Sequence, residues 1–256
     1  MTSFRPAFVA CLLLVASCAQ EPPRTAESAG TATQSTATHH SAIPAERWRA
    51  VLVAGDNNSP AFDNGVTSLR DKLVAHGVRD IRLYSSDARR VGSGQLASAA
   101  NLSRALRSGG GEACLAFVTS HGERQGVYLR TENRLLPPSS LDQALTEGCG
   151  SLPTVVIVSA CHSGTFINPQ TRKPNRVILT AAATDRASFG CGTGDQYTYY
   201  DRCLLQQFDG ATTWRELAQA TRSCVESTER DLGVRRPSLP QFFVGSAVAD
   251  LRLPGR

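Results

Sequence analysis

Hydrophobic residues fall along this chain in short β-branched runs separated by amphipathic stretches. Trp48 to Ala54 (WRAVLVA) is apolar apart from Arg49 and predicts a strand, ending in the loop Gly55-Asp56-Asn57-Asn58-Ser59-Pro60. Val66, Leu69, Leu73 and Val74 keep helical spacing, and Gly77 stops that helix. Further strands are predicted at Ile81 to Tyr84, Ala113 to Ser120, Thr154 to Ala160, Val177 to Ala181 and Gln241 to Val244. Helices are predicted from Leu96 to Leu106 (closed by Gly109-Gly110-Gly111), from Leu141 to Leu145, and over 200–208 and 213–230. Val127 to Leu136 alternates weakly and predicts a small hairpin. Strands alternating with helices imply an α/β fold, with a mainly parallel sheet of about six strands covered on both faces. No internal repeat is evident.

Two of these runs end on reactive side chains. Phe117-Val118-Thr119-Ser120 leads into His121-Gly122, and Val156-Ile157-Val158-Ser159-Ala160 leads into Cys161-His162-Ser163-Gly164. In a parallel sheet, successive strands deliver their C-terminal ends to one edge, where sites collect. A histidine and a cysteine distant in sequence can meet there, and imidazole beside thiol favours a thiolate nucleophile near neutral pH. Taken singly, Cys161 reads as a small core residue and His121 as a loop histidine; their joint placement reverses both readings. His162 is the competing base, but neighbours on an extended segment point to opposite faces, which favours His121. His162 then lines the cleft or packs beneath it.

The pair Thr119-Ser120-His121-Gly122 and Ser159-Ala160-Cys161-His162-Ser163-Gly164 resembles the legumain-type cysteine peptidases of the caspase–legumain–gingipain clan. Val53-Ala54-Gly55 and the block Leu179 to Cys191 (LTAAATDRASFGC) resemble the same family, so the likeness runs from Trp48 to about Val244. It implies a caspase-like three-layer α/β/α sandwich acting on proteins or peptides as an endopeptidase without a cofactor. Cys161 would be the nucleophile, forming a thioester acyl-enzyme, and His121 the general base and acid. The backbone amides of Gly122 and Cys161 would form the oxyanion hole. Two rival readings use the same residues: a catalytically inactive lipoprotein scaffold, and a transamidase that passes the acyl group to an amine.

Specificity in such enzymes draws on the loop after the first strand and on the segments after the nucleophile. Where legumains carry an arginine in that first loop, this chain has Phe62-Asp63-Asn64. With Asp63 and Asn64 in the pocket, a basic side chain would be favoured at the cleaved position; alternatively these residues only cap the following helix. Ser163 and Asp185 are the other candidate substrate-binding residues, with Arg186 placed to neutralise Asp185.

The ends of the chain bear on its location. Arg5 precedes an apolar stretch from Ala7 to Ala16 that is too short to span a bilayer, and Val15-Ala16-Ser17-Cys18 follows. Residues 1–18 resemble a bacterial lipoprotein signal in which Cys18 is lipidated, anchoring the protein to the membrane, and Ala19 favours the periplasmic side of the outer membrane. Residues 19–45 are polar and small, and include His39-His40. They read as a disordered linker of typical reach roughly 30 Å. Residues 46–256 then form one domain. The net charge of +5 is spread without a basic stripe, so nucleic acid is not an expected partner.

Setting aside Cys11, Cys18 and Cys161 leaves Cys114, Cys149, Cys191, Cys203 and Cys224. An exported protein permits disulfides, and Cys203–Cys224 joining two successive helices is the preferred pair. Cys114–Cys149 is a second candidate, which leaves an odd cysteine. No two cysteines have the close spacing of a zinc site.

Overall fold

The computed structural model describes residues 42–256; the expected signal segment with Cys18 and most of the expected linker, including His39-His40, lie outside the described residues. The chain forms β1 (Trp48–Ala54), α1 (Pro60–Ala75), β2 (Asp80–Ser85), α2 (Ala99–Arg107) and β3 (Ala113–Thr119). It continues through β4 (Gly122–Glu123), β5 (Gly126–Leu129), β6 (Arg134–Leu136), α3 (Pro138–Cys149), β7 (Thr154–Ser159) and β8 (Arg176–Thr180). The last elements are α4 (Tyr199–Phe208), α5 (Trp214–Asp231) and β9 (Gln241–Val244).

Six strands make the main sheet, in the order β2-β1-β3-β7-β8-β9, all parallel except β9, which runs antiparallel to β8. Alternation along the strands divides the core in two. Leu52, Phe117, Ile157 and Leu179 pack with α1, α4 and α5 on one face. Val51, Val53, Val118, Val156 and Ile178 pack with α2 and α3 on the other. The expected three-layer α/β/α sandwich is therefore present, and the core begins slightly before residue 46, since Ile43 and Ala45 are already buried in it.

Local chemistry sets the helix starts. The Ser59 hydroxyl accepts from the Ala61 N–H ahead of α1, with Pro60 in its first turn. Thr213 and Glu216 form a reciprocal capping box on α5. Val74, placed on the apolar side of α1 by its spacing, is 58% exposed: α1 packs through Phe62, Val66, Leu69 and Leu73, and Val74 falls outside that stripe.

The expected hairpin is a three-stranded antiparallel sheet whose first strand, β4, starts at Gly122, directly after His121. Two disulfides brace the domain. Cys114–Cys149 ties the start of β3 to the end of α3, and Cys203–Cys224 ties α4 to α5, with Cα–Cα separations of 6.1 and 5.7 Å. Cys161 and Cys191 are free.

Candidate active site

β3 and β7 lie side by side, with Thr119 opposite Ser159 in register. Two residues further on, their chains reach His121 and Cys161 at the same edge of the sheet. The contact between the two segments is tight. A Cβ on Gly122 would come within 2.5 Å of the Cys161 carbonyl oxygen and 2.8 Å of the Ala160 Cβ, so only glycine lets β4 start this close to the Cys161 peptide.

The orientation of the Gly122 amide follows from the hairpin. The His121 carbonyl accepts from the Tyr128 N–H at 2.9 Å. Antiparallel pairs alternate between bonded and non-bonded, so the next pair, Gly122 with Val127, is non-bonded. The Gly122 N–H therefore turns away from β5. The Cys161 amide makes no hydrogen bond among the described residues. Two free amides thus sit on neighbouring segments beside the thiol.

The Cys161 side chain lies against Ser188, whose backbone N–H donates to Sγ at 3.3 Å and whose carbonyl is 3.6 Å from it. Ser188 belongs to the long segment after β8 and was not singled out from the sequence. The His121 ring packs edge-on against Phe62, with centroids 5.1 Å apart. A cleft of about 370 Å³ opens beside His121 and Gly122, walled by Asp56, Asn58, Glu123, Tyr128 and Arg130. Asp56 is buried there and paired with Arg130 at 2.6 Å.

His162 is not on an extended segment. Its φ is 59°, in the left-handed region, and it opens the short 3-10 turn Ser163–Phe166. Its Nδ1 lies 2.9 Å from the Thr184 carbonyl and donates to it. Its N–H donates to the Arg186 carbonyl. His162 therefore holds the 184–186 segment, and the preference for His121 rests on this geometry rather than on strand alternation. A non-glycine residue in this backbone region costs of order 1–3 kcal/mol, a strain that clusters at functional sites.

The anticipated specificity residues need correction. Asp63 is buried within the first turns of α1: it accepts from the Ser85 hydroxyl at 2.6 Å and faces Arg90 at 3.7 Å. Burial pushes its carboxyl above the usual range, against the pull of Ser85 and Arg90, so it offers no open anionic wall. From that triplet it is Phe62 that touches the site. The Asn64 amide donates to the Gln196 carbonyl at 2.9 Å and anchors the segment before α4. Ser163 is buried, and its hydroxyl accepts from the Ala182 N–H at 3.1 Å, so it fastens the turn after Cys161 to the chain after β8. Asp185 alone is open. Desolvation raises its carboxyl, but Arg186 and a hydrogen bond from Arg236 hold it below the usual range overall. Arg236, far along the chain, was not anticipated as its partner.

A model of the Peptidase C13 family matches residues 89–227, which include both reactive motifs and cover more than half of the chain. No curated protein matches the chain. Among solved structures, caspase-1 from Spodoptera frugiperda superimposes with a TM-score of 0.55 at 11% identity, over 77% of this chain and 86% of that one, a likeness of fold alone. The chain belongs to the legumain-type C13 family of cysteine peptidases, built on a caspase-like fold.

Proposed function

We propose that this protein is a cysteine endopeptidase in which Cys161 is the nucleophile and His121 the general base and acid. The observation that carries the reading is the junction of Gly122 with the Cys161 peptide, which sets two free amides beside one thiol. The Cys161 sulfur, its proton taken by His121, attacks the scissile carbonyl carbon, and the carbonyl electron pair moves onto oxygen. The Gly122 and Cys161 amides hold that oxyanion, each worth about 3 kcal/mol to the transition state. The C–N bond breaks, and the leaving amine takes the proton from His121. Water, deprotonated by His121, then attacks the thioester, and its collapse returns the proton to sulfur. The cleft beside His121 offers the peptide chain its place.

Export belongs to the same reading. Two disulfides among the described residues suit an oxidising compartment, which supports the signal segment with lipidated Cys18 as a membrane anchor, on the periplasmic side of the outer membrane.

Peptide-library cleavage followed by mass spectrometry tests the chemistry, with an added amine to reveal acyl transfer. Cys161→Ala and His121→Ala are each expected to lower cleavage by about 10³-fold or more. Undiminished cleavage by Cys161→Ala would overturn the assignment. Amine adducts in place of hydrolysed ends would make the protein a transamidase, and no cleavage by the unmodified protein would make it a scaffold.

A further inference from the structure

A cluster of buried polar side chains lies beneath the two reactive residues and has no part in the chemistry above. Thr119 and Ser159, the last residues of β3 and β7, face each other in register, each two positions before His121 or Cys161. Alternation puts them on the same face as Phe117 and Ile157, where α1, α4 and α5 pack. Asp201, in the first turn of α4, enters this face. The Thr119 hydroxyl donates to its Oδ2 at 2.7 Å, and its backbone N–H donates to the Thr198 hydroxyl at 2.9 Å. The Thr198 and Ser159 hydroxyls are 3.4 Å apart, which extends the cluster to β7. Gly65 of α1 makes the room: a Cβ there would come within 2.9 Å of Asp201 Oδ2.

Asp201 is 1% exposed, and its Oδ1 has no hydrogen-bond partner among the described residues. Burying an acid with one oxygen unsatisfied is costly, and packing alone would be served better by an apolar residue. Burial pushes this carboxyl up to about 6, against the pull of the Ser159, Thr119 and Thr198 hydroxyls. The cost falls where one residue reaches Thr119 directly and Ser159 through Thr198, at the two strand ends that lead to the site.

We infer that Asp201 is a positioning residue for the Cys161–His121 pair: its carboxyl holds the Thr119 side chain, its backbone N–H holds the Thr198 hydroxyl beside Ser159, and together these fix the relative placement of the ends of β3 and β7. The inference rests on the peptidase reading. Small displacements of a nucleophile and its base suffice to slow the chemistry, while substrate binding along a cleft walled mainly by Asp56, Asn58, Glu123, Tyr128 and Arg130 is little affected.

The test is steady-state cleavage of a fluorogenic peptide chosen from the library. Competent sites are counted by labelling Cys161 with a peptidyl acyloxymethyl ketone and locating the label by mass spectrometry. Thr119→Val and Asp201→Ala are each expected to lower kcat per labelled site by about tenfold, with KM within about twofold. Because the two act as one unit, the double variant falls no further than Asp201→Ala. Asp201→Asn keeps an acceptor for Thr119 and recovers kcat to within about threefold of the unmodified protein. If Asp201→Ala does not fold, Thr119→Val decides alone, since it removes one hydroxyl without changing shape. The inference is overturned if these variants lose labelled sites or thermal stability while kcat per labelled site stays unchanged. Cleavage by Cys161→Ala would instead remove the peptidase reading itself, so the two failures are distinct.

Discussion

Two of the charge-bearing side chains buried near the ends of the sheet, Arg49 and Asp201, are treated differently. At the N-terminal edge, Arg49 of β1 is almost fully buried, and each of its three guanidinium nitrogens has a partner. It reaches the Cys114 sulfur at 3.0 Å, the Gly109 carbonyl at 2.7 Å and the Gly148 carbonyl. It thereby joins β1, the turn after α2, the end of α3 and the Cys114–Cys149 bridge. At the C-terminal edge, Asp201 is as deeply buried but leaves one oxygen unpaired. A satisfied buried ion fastens chain segments to one another, whereas an unsatisfied one carries a cost that needs another purpose. The open reactive residues lie at the unsatisfied end. Variants at the Arg49 end should therefore move stability and spare turnover, and variants at the Asp201 end should do more to turnover.

The largest effect is expected at the Arg49 end. Replacing both Cys114 and Cys149 by alanine opens a loop of sequence separation 35, worth about 4 kcal/mol. Urea denaturation should show that loss in full, while kcat per labelled Cys161 stays as in the unmodified protein. A drop in kcat at unchanged stability would break the division between the two ends.

The Asp201 end has a pH signature of its own. The carboxyl binds its proton more tightly in the folded chain, at about 6, than in the unfolded chain, at about 3.9. Its contribution to stability is full below pH 4 and is lost as pH rises through about 6, a difference of about 3 kcal/mol. Tyr200, its ionisable neighbour on α4, is itself held protonated by burial and by the Asp201 charge, so it is silent in this range. His121, beyond Thr119 on β3, is common to both proteins and drops out of the difference. Asp201→Asn cannot ionise, and its stability should lack this fall between pH 4 and 7. Parallel curves for the two proteins would show that Asp201 is already charged in the folded chain and would end its contrast with the satisfied Arg49.

What the sequence reveals follows the same division. The buried strands are legible because continuous runs such as Val155 to Val158 have one physical reading, and all six main-sheet strands fall within one residue of the expected bounds at each end. His121 and Cys161 are legible because strand ends announce themselves. Asp201 is not, since an acid between Tyr200 and Arg202 in an amphipathic helix reads as a solvated position. Nothing local says that α4 turns it inward toward Gly65 and Thr119. Asp63 failed in the opposite sense: its place near the site was readable, but not that Ser85 and Arg90 would close over it. β4 was missed because two residues carry no periodicity, yet its first residue, Gly122, packs tightly against the Cys161 peptide.

The smallest effect belongs to a charge that is exposed rather than buried. Asp185 stands on the segment that His162 grips and is paired with Arg236 at 3.3 Å and Arg186 at 3.5 Å. All three side chains reach solvent, so Arg236→Ala should change stability by less than about 0.5 kcal/mol. It should act instead on preference. With one of its two cations removed, the Asp185 carboxylate is freer to pair with a substrate, and peptides with a basic residue at the cleaved position should gain up to about threefold in kcat/KM over uncharged ones. Raising the salt concentration should erase that gain, because exposed charges are screened. A gain that survives high salt would point to a buried acid at the cleaved position, and an unchanged ratio at low salt would take Asp185 out of substrate recognition.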